Sequence, residues 1–342
     1  MQAAEATVGG DVLISGLGTA LAGVPGPGAL LDPPAGDAGA DPVSALRGPG
    51  LRYKDRATKL ALCAARDALA DAGLLGPDGE LTVAGDDFGV VVSSNWGNVD
   101  TVCETAATIR TSTYKATSPM LLPNTASNVT ASWVAITHGL RGANVTLSNG
   151  PTSGLDAVHW GRALIAAGRL RRVVVVGVEP VNEPVRRLLG GAGPLLDGAV
   201  ALVAEAADAV GARGGTPLAR IGGYARAADL PRAVAAARDG EDAPPDGWWL
   251  PEGPLPPTAP HPDGARPARV PGYDLSARHG RCSGALGVFQ CVAATAELRR
   301  GRGRSMLATA GHGPGDGGPG ADDAAAALVL HRVPGPDRGG VS

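Results

Sequence analysis

The stretch that constrains this chain most is residues 144–180, where an apolar strand, a sharp bend, a helix and a second apolar strand follow one another without a gap. Val145 to Ser148 reads as the first strand. Asn149-Gly150-Pro151 is the bend, and a helix is expected from about Gly154 to Ala167. Ser153 is placed to cap that helix, Asp156 falls in its first turn, and Gly168 follows its last apolar residue. Its polar residues Asp156, His159 and Arg162 recur every third position and form one stripe, so the rest of the helix is expected to be buried. Val173 to Val178 is continuously apolar rather than alternating, the pattern of a parallel strand covered on both faces. An elbow between such a strand and a buried helix is where layered α/β folds place a nucleophile, because the helix N-terminus stabilises negative charge and lowers a thiol pKa.

The other elements agree with a layered α/β chain. Val12 to Gly18 is a short strand running into a glycine turn, and Phe88 to Ser93 is a second buried strand. Arg52 to Leu74 carries Leu62, Ala65, Leu69 and Ala72 on one helical face and ends on Gly73. Asp100 to Met120 is helical and then irregular. With 342 residues, 44% of them hydrophobic, the chain is long enough for one large domain or two repeated halves.

These stretches resemble the β-ketoacyl synthase branch of the thiolase-fold proteins. Residues 52–74 are similar to the family's R-x-x-D-R-x-x-x-L-A-L helix, Val12 to Gly18 to its first strand, and Asp197 to Glu205 to its E-G-A-x-x-L-V-L-E strand. The resemblance runs from Val12 to His331 and implies an α/β, five-layered αβαβα thiolase-like fold with two pseudo-duplicated halves. The expected division is residues 1–215, residues 216–335 and a loose tail, 336–342.

The family's elbow reads T-A-C-S/T-S-G, with the cysteine as acyl acceptor. Thr152-Ser153-Gly154 match its end, and Pro151 stands where the cysteine belongs. Proline supplies neither a nucleophile nor an N–H for an oxyanion hole. Three further departures follow. No His-Gly-Thr occurs, and Asp239 to Pro271, with Trp248-Trp249, replaces the segment that should hold it. In the K-x-x-x-G-H segment Ser276 takes the lysine place and Arg281 the histidine place; a guanidinium is permanently protonated and does not shuttle protons. The phenylalanine-bearing lead-in to the Asp197 strand has shrunk to Pro194-Leu195-Leu196.

A G-R-x-x-S/G-G form resembles the chain-length factors of bacterial type II polyketide synthases, the inactive partners of ketosynthases. That resemblance implies no catalytic residue, an active ketosynthase as heterodimer partner, and an acyl carrier protein with a tethered acyl chain as the second partner. Thr105, Thr108, Thr111, Tyr114, Met120 and His312 would line the acyl tunnel, the alternative for the 100–120 segment being an ordinary surface helix. Val145, Thr146, Leu147 and Ser148 would form the dimer edge, and Arg281 a structural or interface ion pair. The other classes left open are a degenerate acyltransferase or decarboxylase using Cys282, Ser153 or His312, and a homodimeric acyl-binding scaffold.

A net charge of -3 offers nothing to recruit nucleic acid or an anionic membrane, and the pairs Arg171-Arg172, Arg186-Arg187 and Arg299-Arg300 read as surface charge or as a dock for an acidic carrier. Cys63, Cys103, Cys282 and Cys291 form no C-x-x-C pair, with Cys63 expected in the core; no metal spacing, cofactor motif, signal sequence or membrane-length apolar run is seen. A cytoplasmic protein with reduced thiols is expected. His279 reads as a satisfied loop histidine, and Trp248-Trp249 as an exposed pair in a Pro-rich loop, either capping a core or anchoring a partner.

Overall fold

The computed structural model describes residues 10–32, 39–48, 50–191, 193–253, 270–312 and 324–333. The strands are β1 (Val12–Leu21), β2 (Phe88–Ser93), β3 (Asn144–Leu147), β4 (Arg172–Glu179), β5 (Gly198–Ala206), β6 (Ala219–Ala227), β7 (Gly247–Trp249), β8 (Gly272–Tyr273), β9 (Ser305–Ala310) and β10 (Ala325–Arg332). The helices are α1 (Arg56–Asp71), α2 (Val99–Thr111), α3 (Val129–His138), α4 (Ser153–Ala166), α5 (Glu183–Leu188), α6 (Ala207–Ala212), α7 (Leu230–Ala237), α8 (Ser276–His279) and α9 (Leu286–Arg299). The expected tail, residues 336–342, lies outside the described residues.

Hydrogen bonding runs through the strands in the order β3-β2-β4-β5-β1-β6-β10-β9-β7-β8. Read from either end, the order is the same: third, second, fourth, fifth, first strand of a half. The two halves join where β1 meets β6, through the pairs Leu13 with Arg220 and Ile14 with Ala219. β3, β2 and β4 are parallel, while β5 runs antiparallel between β4 and β1.

The strand faces assign the layers. On β4, Val174, Val176 and Val178 point into an apolar cluster shared with α1, whereas Val173 and Val175 join the cluster that holds α4 and α9. α7 covers the far side, packing Leu230 and Val234 against Trp248, Leu307 and Val329. The sequence is therefore outer helices, sheet, central helices, sheet, outer helix. Continuous valine in β4 follows from cover on both faces.

Small residues set the spacing between layers. A Cβ on Gly16 of β1 would lie 2.2 Å from Ala68 O, so α1 rests on the strand backbone. A Cβ on Gly287 would lie 2.2 Å from Leu155 N, which fixes the crossing of α4 and α9. At the start of α1, Asp55 Oδ1 accepts from Thr58 N at 2.6 Å, and Gly73 at φ 69° follows its end.

Three local expectations are corrected. Thr152, not Ser153, precedes α4, and no side chain caps that helix. Asp156 is buried and Trp160 on the same helix is exposed, so the polar stripe does not mark the solvent face. Trp248 and Trp249 are not an exposed loop pair: both are buried on β7, with Trp249 stacked on Tyr273 and Trp248 Nε1 donating to Thr309 Oγ1 at 2.9 Å.

Candidate active site at the elbow

β3 leads into the elbow, and Gly150 at φ 85° turns the chain where a side chain would be strained. Ser153 is buried and ties the bend from within: its Oγ accepts from Asn149 N at 2.8 Å and lies 2.8 Å from Gly150 O. Asn95, in the turn after β2, holds the same bend from outside. Its Nδ2 donates to Gly150 O at 3.1 Å, and its Oδ1 accepts from Gly150 N at 3.2 Å. Asn95 Nδ2 also donates to Ser283 Oγ at 2.9 Å, joining the elbow to the loop before α9. Ser283, at φ 48°, is the only non-glycine residue of positive φ among those described.

Beneath this layer lies Glu179, the last residue of β4. It accepts from Asn95 N at 2.8 Å, Trp96 N at 3.1 Å, Ser94 Oγ at 3.2 Å and Gly284 N at 3.0 Å. Burial pushes its carboxyl up to about 7, against the pull of those four donors. One carboxyl thus pins the β2 turn and the loop before α9 to the end of β4.

The position opposite the elbow is filled by an ion pair. Arg281 Nε meets Glu252 Oε1 at 3.0 Å, and Glu252 Oε2 accepts from Cys282 N at 2.9 Å and Ser283 N at 2.8 Å. His312 closes the group, with Nε2 2.8 Å from Glu252 O. Its Nδ1 is buried without a partner among the described residues. Gly311, whose Cβ would lie 3.3 Å from Thr152 Cγ2, brings this turn against the elbow. Glu252 lies in the segment that lacks His-Gly-Thr.

This arrangement has no competent thiol. Pro151 occupies the elbow, and Cys282 is fully buried with its Sγ donating to Gly280 O at 3.2 Å. Burial first, then Glu252, Asp274 and Glu179, raise that thiol well above its ordinary range, so it stays protonated. Ser153 Oγ is spent on the bend and has no histidine beside it among its bonded partners. Arg281 forms the expected ion pair, and His279 is satisfied by Leu30 O at 2.9 Å. Cys63 is in the core, where burial pushes its thiol up to about 11.

The elbow gathers Pro151, Arg281 and His312, but not the other residues expected to line a tunnel. Thr105, Thr108 and Thr111 lie on α2, the last two donating back to Glu104 O and Ala107 O. Tyr114 and Met120, 69% and 59% exposed, stand on open surface with Val102, Ile109 and Leu122. Val145, Thr146 and Leu147 are half-buried on β3, which among the described residues pairs with β2 alone and ends the sheet; Ser148 is exposed just beyond it. Sequence reasoning missed Glu179, Glu252 and the holding role of Asn95. Only Glu179 left a signal, a carboxylate at the end of a valine run.

Residues 47–209 match the sequence model of the beta-ketoacyl synthase N-terminal domain. Among curated relatives, a 3-oxoacyl-[acyl-carrier-protein] synthase 2 of Vibrio harveyi is 25% identical over 214 residues, 55% of this chain and 50% of that protein. One of Rhizobium meliloti (strain 1021) is 27% identical over 211 residues, 54% of this chain and 49% of that protein. The chain spans about half the length of the curated relatives it matches. Three solved structures, each covering 95% of this chain and 100% of the matched chain, share its fold. They are a beta-ketoacyl synthase from Burkholderia phymatum STM815 (TM-score 0.74, 18% identity), the ishigamide ketosynthase/chain length factor (0.68, 23%) and the type II polyketide synthase assembly AntDE:AntF, in which an acyl-carrier protein is in complex with its ketosynthase (0.73, 14%). The fold is thiolase-like, that of ketosynthases. Among the described residues no helix is long and apolar enough to cross a membrane, and no group of three or more His, Cys, Asp or Glu could hold a metal ion.

Proposed function

We propose that this chain is a noncatalytic, chain-length-factor-like subunit that pairs with an active ketosynthase in the cytoplasm. It would shape the acyl tunnel while the partner elongates a chain carried on an acyl carrier protein. The observation that carries this reading is Pro151 at an otherwise intact elbow: the turn, the helix start and their hydrogen bonds are kept, and the acyl-accepting sulfur is not. The Glu252–Arg281 pair supports it, because a fixed cation and carboxylate stand where proton transfer is required of an active enzyme. The unpaired outer edge of β3 and the exposed apolar side chains from Val102 to Leu122 support a partner of the same fold. The repeated strand order supports a division into residues 1–215 and 216–335.

Co-expression with a cysteine-bearing type II ketosynthase tests the reading. A one-to-one complex is expected, with Thr108→Trp or Met120→Trp shortening the products. A soluble homodimer that ignores such a ketosynthase overturns the pairing. A covalent acyl adduct trapped on this chain alone overturns the noncatalytic role.

A further inference from the structure

Residues 45–48, Leu51 and Lys54, together with α1 and α3, line a cavity of about 530 Å³. Leu46, Leu51, Leu62 and Trp133 make its apolar wall. Lys54, which also lines it, is only 7% exposed, yet its Nζ makes no hydrogen bond or ion pair among the described residues. That nitrogen sits 3.5 Å from the centroid of the Trp133 ring. The side chain is thus largely withdrawn from water while its ammonium opens on the cavity without an anion, and the face of an indole offsets only part of that cost.

The surrounding charge is predominantly positive. Arg47 and Arg66 are exposed residues of the same cavity. Arg47 has no ion pair among the described residues and uses Nη1 on the carbonyls of Ser44 and Leu46, while Arg66 shares Asp67. Burial, and after it the charge of Lys59 on α1, holds the Lys54 pKa below the ordinary value. His138 is buried and held neutral, its pKa lowered to about 4 by burial and then by Arg66. Asp55, beside Lys54 in sequence, gives Oδ1 to the start of α1 and makes no ion pair with Lys54 among the described residues. The wall is also held in place: Trp133 Nε1 donates to Asn124 Oδ1 at 3.1 Å, and Asn124 Nδ2 donates to Tyr53 O.

We propose that this cavity binds an amphipathic anion, with a carboxylate or phosphate head on Lys54 and the Arg47–Arg66 rim and a short aliphatic or aromatic tail along Trp133 and the three leucines. The volume falls within the range of small-molecule sites. An oxyanion would supply the charge-assisted partner that Lys54 lacks.

Titration of the full chain with octanoate, octyl phosphate, octanol and inorganic phosphate, followed by calorimetry and tryptophan fluorescence, tests the assignment. One-to-one binding of octanoate or octyl phosphate is expected, at least about tenfold tighter than octanol or inorganic phosphate, a difference of about 1.4 kcal/mol. The tighter of the two amphiphiles identifies the head. Lys54→Met keeps the apolar stem and is expected to weaken binding by about tenfold or more. Arg47→Gln, at an exposed position that leaves the fold intact, should weaken it severalfold. Absence of saturable binding by either amphiphile, equal binding of octanol or of inorganic phosphate, or unchanged affinity in both variants overturns the proposal.

Discussion

Glu179→Gln should expose a compensation between two buried groups of opposite sign. Glu179 keeps its proton to about pH 7 when folded, against an ordinary 4.5. Between those values the unfolded chain has released a proton that the folded chain retains, so this group lowers stability as pH rises. At about 1.4 kcal/mol per pH unit, the loss amounts to about 3 kcal/mol. His138 does the reverse. Its pKa falls from 6.5 to about 4 on burial, so between those values only the unfolded chain takes up a proton, and stability rises with pH. That gain is also about 3 kcal/mol. From pH 4.5 to 6.5 the two slopes cancel.

Urea unfolding midpoints measured at steps from pH 4.5 to 6.5 separate them. Relative to the parent, E179Q should gain stability with rising pH at about 1.4 kcal/mol per unit, and His138→Leu should lose it at the same rate. Superimposed on that slope, E179Q should carry a pH-independent loss of about 1–3 kcal/mol, because one amide oxygen cannot accept from Ser94, Asn95, Trp96 and Gly284 together. The slope therefore carries the test. Two variants whose pH profiles run parallel to the parent would refute the reasoning, since neither group could then differ between folded and unfolded states.

Other perturbations have equally definite outcomes. Gly287→Ala places a methyl group 2.2 Å from Leu155 N and should cost about 3 kcal/mol or more, seen as a lowered melting temperature or insoluble protein; an unchanged melt would show that α4 and α9 can part. Glu205→Ala leaves Arg172 and Arg213 without the carboxylate they reach at 2.9 and 2.5 Å, and about 3–5 kcal/mol of stability should be lost, against little change for the exposed Arg187–Glu183 pair. Pro151→Cys should create a thiol that iodoacetamide alkylates near neutral pH, read by intact mass, without gain of condensing activity while Arg281 and Glu252 stay in place.

The sequence made some of this legible and hid the rest for identifiable reasons. β4 and α1 were readable because a valine run and a heptad-like apolar face report burial directly, and the elbow was readable because Gly-Pro interrupts two such elements. The Ser153 cap failed because a buried serine at a bend has better partners, Asn149 N and Gly150 O, than the helix end. Trp248 and Trp249 were misplaced because proline density around a three-residue strand outweighs its own β-forming residues. Glu252 and Asn95 could not be found at all. Their roles arise from segments thirty or more residues away in each case, Asn95 on Gly150 and Ser283, Glu252 on Cys282, and no local spacing encodes that meeting.

The hydrogen bonds explain how an elbow can lose its nucleophile and keep its shape. The restraints on the bend are made by Asn149 N, Gly150 N and O, Ser153 Oγ and the Asn95 amide, and Gly150 accounts for its reversed backbone. None of them uses the N–H or the side chain of position 151. A proline there removes a donor that the scaffold does not need. Chemistry and architecture are separable at this point because they are carried by different atoms. The opposing ion pair has the same character: Glu252 ties Arg281, Cys282 N and Ser283 N together, so the loop before α9 is held by a carboxylate without any proton having to move.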